Sequence, residues 1–421
     1  MNIKKVTLAD GVNLNIIDTD KSKLNGMLVS LFLPLDAKTV TTYSLLQRVL
    51  RRGTKSYPTT QLLSQRLSDL YAAGVGASTA KNGETLSLTF SISAFRSEFT
   101  FDNENVFEKT LSILGEMIFD PYLVNGLPDE KIVENEKHLL ADAIKSQIDN
   151  KSSYAIKRCS TLMCADELFS ISSAGYIDDL SKITPKDLSD ALVFARDNAA
   201  IEIVFAGKAD NENLVSLLKT TLPFSPRTSV IPQTFIKTDV DEVKTISENM
   251  DVTQGKLTLG FRSPITLNSP DYIKFALFNE LFGGSSTSKL FMNVREKLSL
   301  CYYCQTIPEP HKGIFFVASG IEFENYEKAK TAVLNELENT KKGKITKLEL
   351  ENAKRSLINA YKEIEDSPSS LCMWYLSRII VNRYDSPLDA ANAVAAVTKE
   401  DVVAAAESIK LDTVYFLKGA E

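Results

Sequence analysis

Apolar residues recur with two periods along this chain, every second residue in some stretches and at helical spacing in others, and the order of those stretches runs through twice. The first pass opens with a strand-like pair around Asp10-Gly11 and an apolar strand at 26–33. A helix follows at about 40–52, stopped by Gly53, and another at about 59–73, opened by Pro58 and stopped by Gly74. Alternating runs at 76–81 and 85–93 flank Asn82-Gly83, a two-residue hairpin signal. Helical patterns come next near 103–119, 128–148 and 152–168. A helix from Thr184-Pro185 to about Asn198, a buried strand at 200–207 and a short helix at 211–219 complete the pass.

Residues 220–232, TTLPFSPRTSVIP, hold three prolines and no periodicity, which marks a linker. The second pass then begins with a strand at 256–261, helices at about 270–282 and 286–298, and strands at 301–307 and 313–321. Helices near 325–341, 346–365, 369–382, 387–396 and 398–408 lead to a last strand at 413–418. RLSDLY at 66–71 and REKLSLCY at 295–302 hold corresponding places in the two passes. The pattern predicts an α+β protein of two homologous domains, 1–219 and 233–421, joined by the linker 220–232. Each domain is a mainly antiparallel sheet with a layer of helices on one face.

A chain of 421 residues exceeds one ordinary core, in agreement with that division. Its composition, 44% hydrophobic and 24% charged, is that of a soluble globular protein. The net charge of −6 speaks against nucleic acid, whose phosphates call for a basic face. The N-terminal residues go straight into a strand-like pattern, and the longest apolar run, 27–35, is too short to span a bilayer. The expectation is a cytoplasmic protein with no membrane contact. Five cysteines, an odd number, do not suggest a disulfide framework. Cys301 and Cys304 form a CxxC, but it follows a helix instead of opening one, so no helix dipole activates it. The cysteines read as small core residues.

The chemistry concentrates in 283–303, GGSSTSKLFMNVREKLSLCYY. Gly283 and Gly284 can close one helix, and Ser286, Thr287 or Ser288 can cap the next, whose apolar positions are Leu290, Phe291, Val294 and Leu298. Arg295 late in that helix and Tyr302 at the start of the strand can converge on one surface. A guanidinium fork and a hydroxyl are suited to gripping a peptide carbonyl. The same residues also fit a plainer account, two helix caps and a solvated arginine paired with Glu296. The stretch is not a phosphate loop, since it lacks Gly-Lys-Ser/Thr.

These residues resemble the C-terminal signature of the pitrilysin-like peptidases, the insulinase and mitochondrial processing peptidase family M16. The resemblance extends through RRGTKSYPTTQLLSQRL and ITPKDLSDALVFARDNAAIEIVFAGKAD in the first half, and from QGKLTLGF to the end in the second. It implies the metallopeptidase M16/LuxS-like fold, with two duplicated α+β units per chain. Active members of that family carry His-x-x-Glu-His just before the Gly-Thr that corresponds to Gly53-Thr54, the histidines binding zinc and the glutamate activating water. Here those positions are Ser44, Leu45, Leu46, Gln47 and Arg48, and the third ligand falls near Asp142 or Ala143. Ser44 is a poor neutral ligand, Gln47 cannot accept a proton, and Arg48 puts a permanent cation where the metal would sit. The chain's two histidines, His138 and His311, lie outside the motif. The resemblance therefore implies no catalytic residue, no metal and no cofactor in this chain, and an ordinary amphipathic helix with Leu45, Leu46, Val49 and Leu50 on its apolar face.

The second half keeps the family's Arg/Tyr pair as Arg295 and Tyr302, seven residues apart. In related peptidases made of two chains, one chain supplies the zinc motif and the other this pair. The resemblance implies a non-catalytic, substrate-binding or regulatory subunit of a heteromeric zinc peptidase, not an enzyme on its own. Arg295 and Tyr302, with Gly283, Gly284 and Ser285, would hold peptide substrate for a zinc-bearing homologous partner in a heterodimer; a homodimer is another arrangement. The alternative is a proteolytically inactive scaffold or binding protein of the same fold.

Overall fold

The structure, a computed structural model, describes residues 3–419. The first half runs β1 (Ile3–Ala9), β2 (Val12–Asp18), β3 (Leu24–Pro34), α1 (Val40–Leu50), α2 (Thr60–Asp69), β4 (Gly74–Asn82) and β5 (Thr85–Phe95). Then come α3 (Val106–Phe119), the two-residue strands β6 (Leu123–Val124) and β7 (Leu127–Pro128), α4 (Glu130–Lys145), α5 (Lys151–Met163), α6 (Ile177–Leu180), α7 (Pro185–Asn198), β8 (Ala200–Gly207) and α8 (Asn211–Thr221). The second half runs β9 (Lys244–Met250), β10 (Gly255–Arg262), α9 (Tyr272–Asn279), β11 (Cys301–Glu309) and β12 (Ile314–Ile321). It ends with α10 (Tyr326–Lys341), α11 (Lys347–Glu363), α12 (Pro368–Ile379), α13 (Pro387–Ala396), α14 (Lys399–Glu407) and β13 (Lys410–Gly419). The sequence pattern does not announce β9. Its residues, KTISENM, are polar and at most half-buried, so they give no apolar alternation.

The duplication is visible in the strand order. The larger sheet runs β1-β2-β8-β3-β5-β4, and the smaller runs β9-β13-β10-β12-β11. Without β1 the two orders correspond strand for strand. In each, the pair β2–β8 or β9–β13 is parallel and the rest are antiparallel. The helix before each last strand starts the same way. Thr184 and Asp187 form a capping box at α7, as Thr398 and Asp401 do at α14.

In the first unit, one face of the sheet carries Met27, Val29, Leu31, Leu88, Phe90, Ile203 and Phe205, all buried under α1, α3, α4, α7 and α8. The opposite face is covered too, by a helix from the other half of the sequence. α12 runs across β3 and β8, and its Cys372 Sγ lies 3.5 Å from the carbonyls of Gly26 and Val204. The second unit does the reverse. Its sheet packs Phe261 and Phe315 against Phe275 and Phe278 of α9 on one face. On the other, α5 sets Cys159 and Met163 against Phe316 and Tyr415. Gly260 permits that approach, since a Cβ there would meet Met163 Sδ at 2.7 Å.

The compact units are therefore Met1–Lys145 with Ile171–Gln233 and Ile364–Ser386, and Ser146–Ser170 with Thr234–Glu363 and Pro387–Glu421. A division at 220–232 groups α5 with the first half and α12 with the second, whereas α5 packs on β10 and α12 on β3 and β8, because periodicity shows that a helix is amphipathic but not which sheet it covers. The segment read as a linker is also held down. Buried Arg227 donates to the carbonyls of Arg196 and Ala199, and its own N–H donates to Asp10 O at 2.8 Å. In the second unit Arg262 donates to Asp412 at 2.6 Å and to Glu167 at 2.7 Å, while Lys312 reaches Glu167 at 2.7 Å. Burial alone would raise the Glu167 carboxyl, yet the hydrogen bond from Arg262 and the ion pair with Lys312 hold it below its ordinary value. This network ties the stretch after α5 to β10 and β13.

Candidate functional site

Positions 44–48 lie on α1, whose Leu45, Leu46, Val49 and Leu50 are buried in the core of the first unit. Ser44 is buried, and the Gln47 amide donates to Ser44 O at 3.1 Å, so Gln47 ends in its own helix. Arg48 points to α4 and donates through Nε to Glu136 Oε2 at 3.0 Å. Arg52 binds the other oxygen of the same carboxylate. Glu136 is only 1% exposed and sits in the apolar stripe of α4 between Val133 and Leu140. Asp142 and Ala143 lie on the exposed side of that helix, as does His138.

Zinc does not fit this arrangement. A cation of this charge needs several lone pairs, and two guanidiniums already hold both oxygens of the one buried carboxylate. Among the described residues no group of three or more His, Cys, Asp or Glu side chains could hold a metal ion. All five cysteines are unpaired and buried. Burial pushes the Cys164 thiol up to about 12 and Cys159 higher still.

The Arg295 region is built differently. After α9 the backbone widens into π-helical winding over Glu280–Gly284 and again over Leu290–Lys297. Such winding is rare and gathers at functional sites. Leu290 and Val294 are buried under this helix, whereas Leu298 is exposed. Ser288 caps the start, its Oγ accepting from Phe291 N–H at 3.4 Å. At the end Leu300 N–H donates to Val294 O, and Ser299 takes φ +51° to make the turn. The chain then enters β11 through a bulge. Cys301 pairs with Ile321 and Tyr303 with Gly320, leaving Tyr302 as the extra residue. A bulge re-aims its side chain, and Tyr302 stands 61% exposed.

Arg295 and Tyr302 line one open concavity of about 420 Å³, together with Glu296, Ser299, Leu300, Cys301, Glu322 and Asn325. The Arg295 guanidinium lies 4.5 Å from the ring centroid of Phe291, and its ion-pair contact, to Glu296, is a long 3.5 Å. The Tyr302 hydroxyl donates to Glu322 Oε1 at 2.7 Å, and this carboxylate raises the pKa of the phenol. Cys304, Ser319 and the charge of Arg295 hold the Cys301 thiol below its usual value despite burial. Gly283, Gly284 and Ser285 are not among the residues lining this concavity. Gly283 is there for packing, since a Cβ would meet Thr306 Cγ2 at 2.7 Å and Leu290 Cδ1 at 2.9 Å.

Two residues of these sites were missed from the sequence. Glu136 carries a signal, a carboxylate inside an apolar stripe (Val133, Leu140) in a chain with RRG at 51–53. Glu322 meets Tyr302 only because β11 and β12 pair in this register, a consequence of the hairpin and not of any motif.

A family model described as the peptidase M16 inactive domain matches residues 194–357. The chain is 33% identical over 412 residues to a protein of Bacillus subtilis (strain 168) named "Probable inactive metalloprotease YmfF", covering 98% of this chain and 96% of that one. It matches the crystal structure of a conserved protein from Enterococcus faecalis V583 with a TM-score of 0.91 and 29% identity, covering 100% of this chain and 99% of that one. The peptidase M16 inactive domain from Pseudomonas fluorescens matches with a TM-score of 0.81 at 16% identity, covering 100% of this chain and 99% of that one, a likeness of fold. Sequence along nearly the whole length and fold along all of it agree, and the chain belongs to the peptidase M16 family.

Proposed function

We propose that this inactive M16 homologue is the non-catalytic, substrate-binding or regulatory subunit of a heteromeric zinc peptidase. The observation that carries the reading is an Arg295 fork and a Tyr302 hydroxyl on one open concavity, in a chain whose positions 44–48 are committed to packing and to the Glu136 ion pairs. A zinc-bearing homologue, joined to it as a heterodimer, would supply the metal and the activated water. This chain would supply donors to a backbone carbonyl of the peptide, charge-assisted in the case of Arg295. The name of the B. subtilis relative, an inactive metalloprotease, suits such a chain. No helix of the described residues is long and apolar enough to cross a membrane. We propose the cytoplasm as the location of the pair, a reading that five unpaired cysteines support.

Mixing the purified chain with its zinc-bearing homologue tests the proposal. Peptide cleavage should appear only in the mixture, and Arg295→Ala or Tyr302→Phe should lower kcat/KM roughly ten-fold or more. Wild-type kinetics in both variants would remove the grip. A second reading, a scaffold or binding protein with no part in proteolysis, is favoured by one contact: the Tyr302 hydroxyl is already donated to Glu322. A stable complex that never cleaves peptide would support it.

A further inference from the structure

We propose that Glu322 makes this concavity selective for peptides carrying a cationic group next to the carbonyl held by Arg295; the inference rests on the grip proposed above. Glu322 follows β12 and caps the short turn Phe323–Asn325, where its carbonyl accepts from Asn325 N–H at 3.0 Å. Its backbone is fixed while its side chain stands exposed at the lip of the concavity. The charged groups lining that space are Arg295, Glu296 and Glu322, one cation against two carboxylates. Glu296 lies beside Arg295 at 3.5 Å, which leaves Glu322 as the acid without a cation in the concavity.

The Tyr302 hydroxyl couples the two ends. It is a donor to Glu322 in the free chain. When a peptide carbonyl enters, the hydroxyl can turn from the carboxylate to the carbonyl, because a phenol has one proton to give. Glu322 then loses a donor at the moment the ligand arrives. An ammonium or guanidinium on the neighbouring residue replaces that donor and pairs with the carboxylate. A neutral side chain leaves it to water, and an acidic one is repelled. An acid at this place therefore sets what the grip accepts, and it does so without touching the carbonyl.

Exposure limits the size of the effect. Ion pairs in water are weak and screened by salt, so the preference should be about three- to five-fold at low salt and largely gone near 0.5 M. Three fluorescein-labelled peptides, identical except for a central lysine, norleucine or glutamate, would be titrated with the full-length chain and followed by anisotropy. The wild type should bind lysine tightest and glutamate weakest. Glu322→Gln should bring the lysine and norleucine affinities together, and Arg295→Ala should weaken all three. Equal wild-type affinity for lysine and norleucine, or a preference that survives Glu322→Gln, overturns the role of Glu322 and leaves the grip standing. Affinities untouched by Arg295→Ala overturn the grip itself, and no binding of any peptide overturns both.

Discussion

The corner between α1 and α4 and the turn leading into β11 each put arginine beside a carboxylate, and they use the pairing in opposite ways. At the corner the carboxylate, Glu136, is almost wholly buried and both its oxygens are held by Arg48 and Arg52. At the turn, Arg295 and Glu296 are 38% and 51% exposed and 3.5 Å apart, and Glu322 shares only a hydroxyl with Tyr302. A buried charge must be matched by fixed partners, because water no longer solvates it. Such a group belongs to the fold. Exposed charges are matched by water and gain little from one another, so they remain available to a ligand. The first unit spends its arginines on structure at the corner of α1 and α4, and the second leaves a solvent-facing set of donors and acceptors.

The strongest way to break this comparison is to remove the acid on each side. Glu136→Ala leaves two guanidiniums without their partner and should cost about 2 kcal/mol, a value below the usual range for buried pairs because both arginines are partly exposed. Glu322→Gln should change stability by less than about 0.5 kcal/mol. Urea denaturation of both variants checks this, and similar losses would show that exposure is not the deciding variable.

A second test compares Glu136 with another carboxylate of the first unit. Glu202 is buried in the sheet and its hydrogen-bond donors are neutral, the amides of Asn13 at 2.8 Å and Asn15 at 2.7 Å. Burial raises its pKa above the ordinary 4.5. The folded state thus holds the proton more tightly than the unfolded state. That contribution to stability is complete below the unfolded pKa and is lost as pH rises through the folded pKa. Glu202→Gln should therefore gain stability relative to the wild type as pH rises from about 4.5 to 7, over and above the pH-independent cost of an amide NH2 that faces the Asn13 or Asn15 donor. Thermal melts across that range would show it, and a gain that persists in acid would point to packing instead.

The smallest effect concerns the turn that presents Tyr302. Ser299 holds φ +51°, a conformation glycine adopts without steric cost. Ser299→Gly should add about 0.5 kcal/mol in a thermal melt. A loss would mean that the Ser299 side chain is needed for the turn.

Much of this molecule was legible in advance. Asn82-Gly83 placed the β4–β5 hairpin, Thr184-Pro185 opened α7, and the run at 200–207 appeared as the buried strand β8. The stretch at 283–303 also gave helix, turn and strand in the right order, but not its winding. A π turn changes which carbonyl accepts each N–H while keeping apolar residues about one turn apart, so Leu290 and Val294 look the same in either helix. The bulge at Tyr302 and the strand β9 were equally silent, the first because one extra residue leaves no compositional mark and the second because its residues are polar.

The sequence by itself determined the duplicated order of strands and helices and, through its motifs, the likeness to the peptidase M16 family. The first depends on local periodicity and the second on resemblance of stretches such as 283–303, both of which can be read in one dimension. The tertiary structure alone decided that α12 covers the first sheet and α5 the second, that Arg48 and Arg52 close on Glu136, and that Tyr302 meets Glu322. Each of those joins residues brought together by packing, and an amphipathic helix or a lone charge does not state in advance which surface it will bury against.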